Sequence, residues 1–170
     1  MTPSEVDESL DTDDPRAAAV ALALRKARAV AAGRRDGVVV GADTIVVLDG
    51  KILGKPADAA DARWMLRALR GRWHEVVTGL AAIDVAAARE LSAAVVSRVC
   101  MAAYGDDHIE AYVASGEPFD KAGGYAIQEG GGRLVTGLIG SYTNVIGLPL
   151  EALRPLLAEL GVRVSAPGMT

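Results

Sequence analysis

Val38-Val39-Val40 is an unbroken β-branched run. Such a run suits a strand covered on both faces, because polar and apolar residues need alternate only where one face meets water. A chain with a strand of this kind must supply layers on both sides of it. Arg16 to Ala32 is rich in Ala, Leu, Arg and Lys, all strong helix formers. Asp13 or Asp14 followed by Pro15 starts this helix and Gly33 stops it. After the valines, Ile45 to Leu48 continues as strand, and Asp49-Gly50 reads as a tight hairpin turn into Lys51-Ile52-Leu53. Asp58 caps a second helix from about Ala59 to Leu69, closed by Gly71. Strands are expected over Glu75 to Ile83, Leu91 to Met101 and Leu134 to Ile139. A short helix capped by Asp106 or Asp107 runs through Val113, and a last one starts at Pro149 and ends at Gly161. The fold class is therefore α/β, a mixed central sheet flanked by helices.

At 170 residues the chain matches the roughly 150 residues of one domain. Hydrophobic residues make up 51% and aromatics only 4%, so the core is built from tightly packed small aliphatics. A net charge of −4 argues against a nucleic-acid surface and against a basic membrane-binding face. No apolar run reaches the roughly 18 residues of a membrane span, and no basic-then-apolar leader opens the sequence. One cysteine and two histidines exclude an internal disulfide and a His-rich metal cage. The expectation is a soluble, cytoplasmic, single-domain protein.

Chemistry concentrates in a few places. Gly41-Ala42-Asp43-Thr44 follows the valines, at what reads as the carboxyl end of a strand, where open α/β sheets place ligands. Asp43 there either holds a divalent cation, orients a water, or only caps a turn, and the Thr44 hydroxyl both donates and accepts. Gly54-Lys55-Pro56 holds a lysine between two backbone-restricting residues, either as a point charge for phosphate oxygens or as a solvated loop residue. In Asp120-Lys121-Ala122-Gly123-Gly124-Tyr125-Ala126-Ile127-Gln128, glycines beside a charged pair either let the backbone approach a ligand or belong to a polar loop tightened by the Asp–Lys pair. Gln128 offers a donor and an acceptor suited to a base edge. By pattern alone Lys26 is a solvated helix residue and Glu8 part of an acidic stretch. His74 reads as a strand-edge or surface residue, and Cys100 as a buried small hydrophobe. Neither a Walker A sequence nor a dinucleotide fingerprint is present.

In order and spacing, these stretches resemble the Maf family of nucleoside triphosphate pyrophosphatases, also called septum formation inhibitors. The matching pieces are Val6-Asp7-Glu8-Ser9, Leu24-Arg25-Lys26-Ala27, Gly41 through Val46, Leu53-Gly54-Lys55-Pro56 and Met65-Leu66. They continue with His74 through Gly79, Asp120 through Gln128, and Gly140-Ser141-Tyr142 through Gly147-Leu148-Pro149. The resemblance implies an α/β fold with an active-site cleft. It also implies hydrolysis of a nucleoside triphosphate to the monophosphate and pyrophosphate with Mg²⁺ or Mn²⁺, in a homodimer. By the same resemblance Asp43 is the catalytic carboxylate and metal partner, and Glu8 the second carboxylate. Lys26, Lys55 and Lys121 contact the substrate, and Thr44 and Gln128 match positions tied to base choice. The Asp-Lys-Ala-Gly-x-Tyr-x-Ile-Gln form is similar to the branch acting on dTTP and UTP. Family members begin with a strand and a Ser-x-Ser-Pro-Arg-Arg loop whose arginines contact phosphates. This sequence begins after that point, and Glu129 stands where many members have glycine. The expectation is an N-terminally truncated Maf-like domain over 1–170 acting on pyrimidine triphosphates. The alternative is a catalytically impaired nucleotide-binding or cell-division regulatory protein.

Overall fold

The architecture is taken from a computed structural model that describes residues 12–128 and 130–163. Helix α1 (Pro15–Ala31) begins where the Asp14 carboxylate accepts a hydrogen bond from the Arg16 backbone N–H at 3.0 Å. Next comes β1 (Val38–Leu48), which turns at Asp49-Gly50 into β2 (Lys51–Leu53). Both turn residues have positive φ, 51° and 76°, as a hairpin of two residues requires. Helix α2 (Ala59–Leu69) is followed by β3 (Trp73–Asp84), β4 (Arg89–Met101) and α3 (Asp106–Ala114). Gly105, not an aspartate, occupies the cap of α3; Asp106 and Asp107 lie in its first turn, where negative charge favours the helix dipole. Short 3₁₀ turns over Glu117–Asp120, Ala122–Gly124 and Gly130–Leu134 lead to β5 (Val135–Ile139), α4 (Tyr142–Val145) and α5 (Leu150–Glu159).

The sheet order is β2-β1-β3-β4-β5, and every pairing among the described residues is antiparallel. The α/β class expected from the sequence is the one observed. One expectation about the centre of the sheet is corrected. Val38 to Leu48 is a single strand, so Asp43 lies in mid-strand, in register with Gly79 of β3, and not at a strand end. The break expected at Gly41 does not form because Gly41 is needed inside the strand, for the reason given next.

Odd-numbered residues of β1 and β3 face α1. Ile45, Val47 and Val77 pack on Ala18, Ala19 and Leu22, while Val39, Ala81 and Ile83 pack on Ala23 and Ala27. At Gly41 and Gly79, between these two clusters, the helix comes so close that a side chain on either residue would not fit beneath it. A Cβ on Gly79 would stand 2.2 Å from the Ala19 carbonyl, and one on Gly41 2.4 Å from the Ala23 carbonyl oxygen. The even-numbered face carries the larger core, in which Val46, Leu48 and Val76 pack against α2, α3 and Tyr125.

Gly79→Ala forces α1 off the sheet and is expected to cost about 1–3 kcal/mol or more. Gly33→Ala, at an ordinary φ with only the Val30 carbonyl oxygen at 4.0 Å, stays within about 0.5 kcal/mol of the unaltered protein. Denaturant unfolding of both variants measures the contrast.

Candidate active site

Because side chains alternate along a strand, the neighbours Asp43 and Thr44 point to opposite faces of β1. The candidate residues divide accordingly into two groups.

On the α1 face, the Lys26 ammonium forms an ion pair and hydrogen bond with Asp43 Oδ1. The Asp43 side chain is 11% exposed and that of Lys26 28%. Helical spacing puts Lys26 one turn beyond Leu22, on the side of α1 that meets β1. Pattern alone assigned it to solvent; the structure gives it a partner inside the sheet. Glu8 lies outside the described residues.

On the other face, Thr44, Lys55, Lys121 and Gln128 line one cavity of about 260 Å³. Its remaining walls are mostly apolar, with Val46 and Val76 from the strands and Ile146 and Gly147 from the segment after α4. The loop carrying Lys121 and Gln128 is pinned to the one carrying Lys55, since the Gly123 N–H donates to the Gly54 carbonyl at 2.9 Å. Gly123 has φ 68°, and a Cβ there would press on the Val46 side chain at 3.0 Å, so glycine lets the loop lie on the strand. Lys121 Nζ donates to Asp120 Oδ1 at 2.6 Å. That bond, with lesser help from Lys55, holds the Asp120 carboxyl below the usual carboxylate value. Lys55 lines the cavity beside the Asp120–Lys121 pair and forms no ion pair of its own among the described residues.

Beneath the cavity is a polar layer to which the sequence pattern assigned no role. His74 is buried, contrary to the surface role expected from its isolation, because β3 is covered on both faces. Its Nε2 shares a hydrogen bond of 2.7 Å with the Tyr125 hydroxyl, and the rings meet edge to face. His74 thereby ties the cavity-lining loop to the sheet. Cys100, expected to be buried, is only half-buried on β4. Thr78 is fully buried; its hydroxyl lies 2.9 Å from that of Thr44 and donates to the Asn144 carbonyl. The Asn144 amide donates to the Val76 carbonyl and to Ser97 Oγ, and Ser97 in turn bonds the Ser141 backbone. This lattice docks α4 on β3 and β4 and so places Ile146 and Gly147 at the cavity wall. Its one legible signal was the lone Thr at 78 inside the largely apolar run from Val76 to Ile83.

No group of three or more His, Cys, Asp or Glu side chains among the described residues is arranged to hold a metal. A single carboxylate nevertheless fits Mg²⁺, which characteristically takes one or two carboxylates together with substrate phosphates and waters. Among the described residues no helix is long and apolar enough to cross a membrane.

The family model described as Maf-like protein matches residues 1–160. A dTTP/UTP pyrophosphatase of Moorella thermoacetica is 51% identical over 165 residues, covering 96% of this chain and 85% of that relative. One of Geobacter metallireducens is 51% identical over 144 residues, 85% of this chain and 75% of the relative. Another, of Anaeromyxobacter dehalogenans, is 49% identical over 164 residues, 95% of this chain and 82% of the relative.

Burial lowers the His74 pKa from 6.5 to about 4, and His74 Nδ1 has no partner among the described residues to stabilise a second proton. Folding thus favours the neutral ring. The resulting stability is complete above pH 6.5 and is lost as pH falls toward 4. Urea titrations across that window should show a fall on the order of 3 kcal/mol that is missing from His74→Gln.

Proposed function

This chain belongs to the Maf-like protein family, and we propose that it is a pyrophosphatase for dTTP, UTP or modified pyrimidine triphosphates. It releases the monophosphate and pyrophosphate and so clears unwanted nucleotides from the pool. The observation that carries this reading is the cavity on the even face of β1, where apolar walls, the Thr44 hydroxyl, the Gln128 carboxamide, Lys55 and the Asp120–Lys121 pair converge. Apolar walls suit a base and sugar. Thr44 and Gln128 supply hydrogen-bonding groups for the base edge, and Lys55 and Lys121 supply charge for phosphate oxygens. Names of relatives about 50% identical over most of the chain support the same substrate class.

Asp43 and Lys26 lie across β1 from that cavity. β2 pairs with β1 only from Val46 to Leu48, so the outer edge of β1 from Val38 to Ile45 carries no strand among the described residues. A triphosphate lying over this open edge reaches from Thr44 on one face to Asp43 and Lys26 on the other. There Asp43 accepts the proton of the attacking water, and Lys26 orients the carboxylate and faces the phosphates. Glu8 is proposed as the second carboxylate. A divalent cation, Mg²⁺ or Mn²⁺, would be held by Asp43 and the phosphates, and would neutralise charge on them. The proposal extends to a single domain over 1–170 that acts as a homodimer in the cytoplasm on free nucleotide, not on nucleic acid or membranes.

UTP incubated with the protein and Mg²⁺ should yield UMP and pyrophosphate; UDP with free phosphate would mean a different reaction. Asp43→Asn keeps the size of the side chain but not its basicity, and pyrophosphate release should fall by roughly 10²-fold or more. If turnover persists in that variant, Asp43 is not the base.

A further inference from the structure

A hydroxyl and a carboxamide do not by themselves tell uracil from cytosine. Each can present either a donor or an acceptor, by rotation of the hydroxyl or by a flip of the amide. Uracil and thymine carry an N3–H donor, whereas the same ring atom of cytosine is an acceptor. Discrimination therefore needs one of the two protein groups to be locked in a single sense.

The layer under the cavity locks Thr44. Thr78 has one hydroxyl proton, and its Oγ lies 2.9 Å from the Asn144 carbonyl oxygen, which has no proton to give. The Thr78 proton is therefore committed to Asn144. The 2.9 Å contact between the Thr44 and Thr78 hydroxyls then needs a proton from Thr44. Both bonds are satisfied only by the chain Thr44 to Thr78 to Asn144 carbonyl, so the Thr44 proton points away from the cavity and its lone pairs point in. Thr44 lines the cavity, while Thr78 is fully buried and does not. Gly147 keeps the acceptor uncovered, since a Cβ there would sit 3.3 Å from Thr44 Oγ1.

We infer that Thr78 is a specificity-positioning residue: through Thr44 it presents a fixed hydrogen-bond acceptor that admits bases with an imino N–H, uracil and thymine, and opposes cytosine. The inference rests on the reading of the cavity as the pyrimidine site and names what sets its preference. Thr78→Val keeps the side-chain shape and removes the acceptor for the Thr44 proton. The Asn144 carbonyl keeps its bond from the Gly147 N–H at 2.9 Å, so the fold has no orphaned group to accommodate. The freed Thr44 proton then turns toward the cavity and serves cytosine.

The test measures equilibrium binding of UMP and CMP, which cannot turn over, and kcat and KM for UTP and CTP. The unaltered protein should prefer the uracil compounds. In Thr78→Val the preference should fall roughly tenfold, with a gain for CTP that appears in KM and not in kcat. A general structural lesion does not improve the poorer substrate. Thr78→Ser, which keeps the hydroxyl, should retain the preference. A folded Thr78→Val with the original preference overturns the inference. Should Thr78→Val lack a cooperative melting transition, Thr44→Val decides: an unchanged UMP-to-CMP ratio there overturns the inference as well, and a lost one supports it. Equal binding of UMP and CMP by the unaltered protein overturns the inference while pyrophosphate release from UTP leaves the proposed reaction standing. Selective binding of UMP without pyrophosphate release overturns the reaction and supports the inference.

Discussion

Helix α1 lies on the sheet at backbone contact, and much of the structure follows from that closeness. Its inner face is alanine and one leucine, and opposite it stand Gly41 and Gly79, where any side chain would collide with the helix carbonyls. Close packing of small groups removes apolar surface from water without large rings, which suits a chain with so few aromatics. It also brings Lys26 down to β1, so that its ammonium reaches Asp43 inside the sheet. A bulkier helix face would lift α1 and separate the pair.

The opposite face of the same strands solves a different problem. Loops must be held over a cavity without filling it, and polar groups in the strands do this from below. His74 anchors the loop before Gln128 through Tyr125, and Thr78 and Ser97 anchor α4 through Asn144. Each of these groups is buried, and a buried polar group that lost its partner would incur a desolvation cost of about 1–3 kcal/mol. The cavity walls are therefore held by bonds that are expensive to break. A single substitution beneath the cavity acts on the loops above it.

Charge is distributed with the same economy. The chain is net acidic, yet Lys55 and Lys121 both line the cavity and Lys26 sits across the strand. At least six of the fourteen arginines are committed elsewhere, in exposed pairs such as Arg28–Glu90, Arg63–Glu110 and Arg72–Asp49. Exposed pairs of this kind contribute little stability. They do neutralise part of the positive charge that the surface would otherwise carry.

Local chemistry determined much of this in advance. Asp14-Pro15, Asp49-Gly50, Asp58 and Gly71 mark element ends because caps and tight turns depend on a residue and its near neighbours, and α1, α2 and the β1–β2 turn fall where those signals put them. The motifs at 43–44, 54–56 and 120–128 were also legible, since glycines beside charged residues are unusual in a core. Tertiary structure decided what these residues face. Gly41 looked like a break, but only the approach of α1 shows why glycine belongs inside a continuous strand. Lys26 looked solvated until the helix met β1, and His74 looked superficial until both faces of β3 were covered. Thr78, Ser97 and Asn144 come from β3, β4 and α4, and their bonds join residues up to 66 or 68 positions apart. Periodicity in a sequence reports which side of an element is apolar. The partner of a buried hydroxyl depends on which elements stack above it, and that is settled only when the chain has folded.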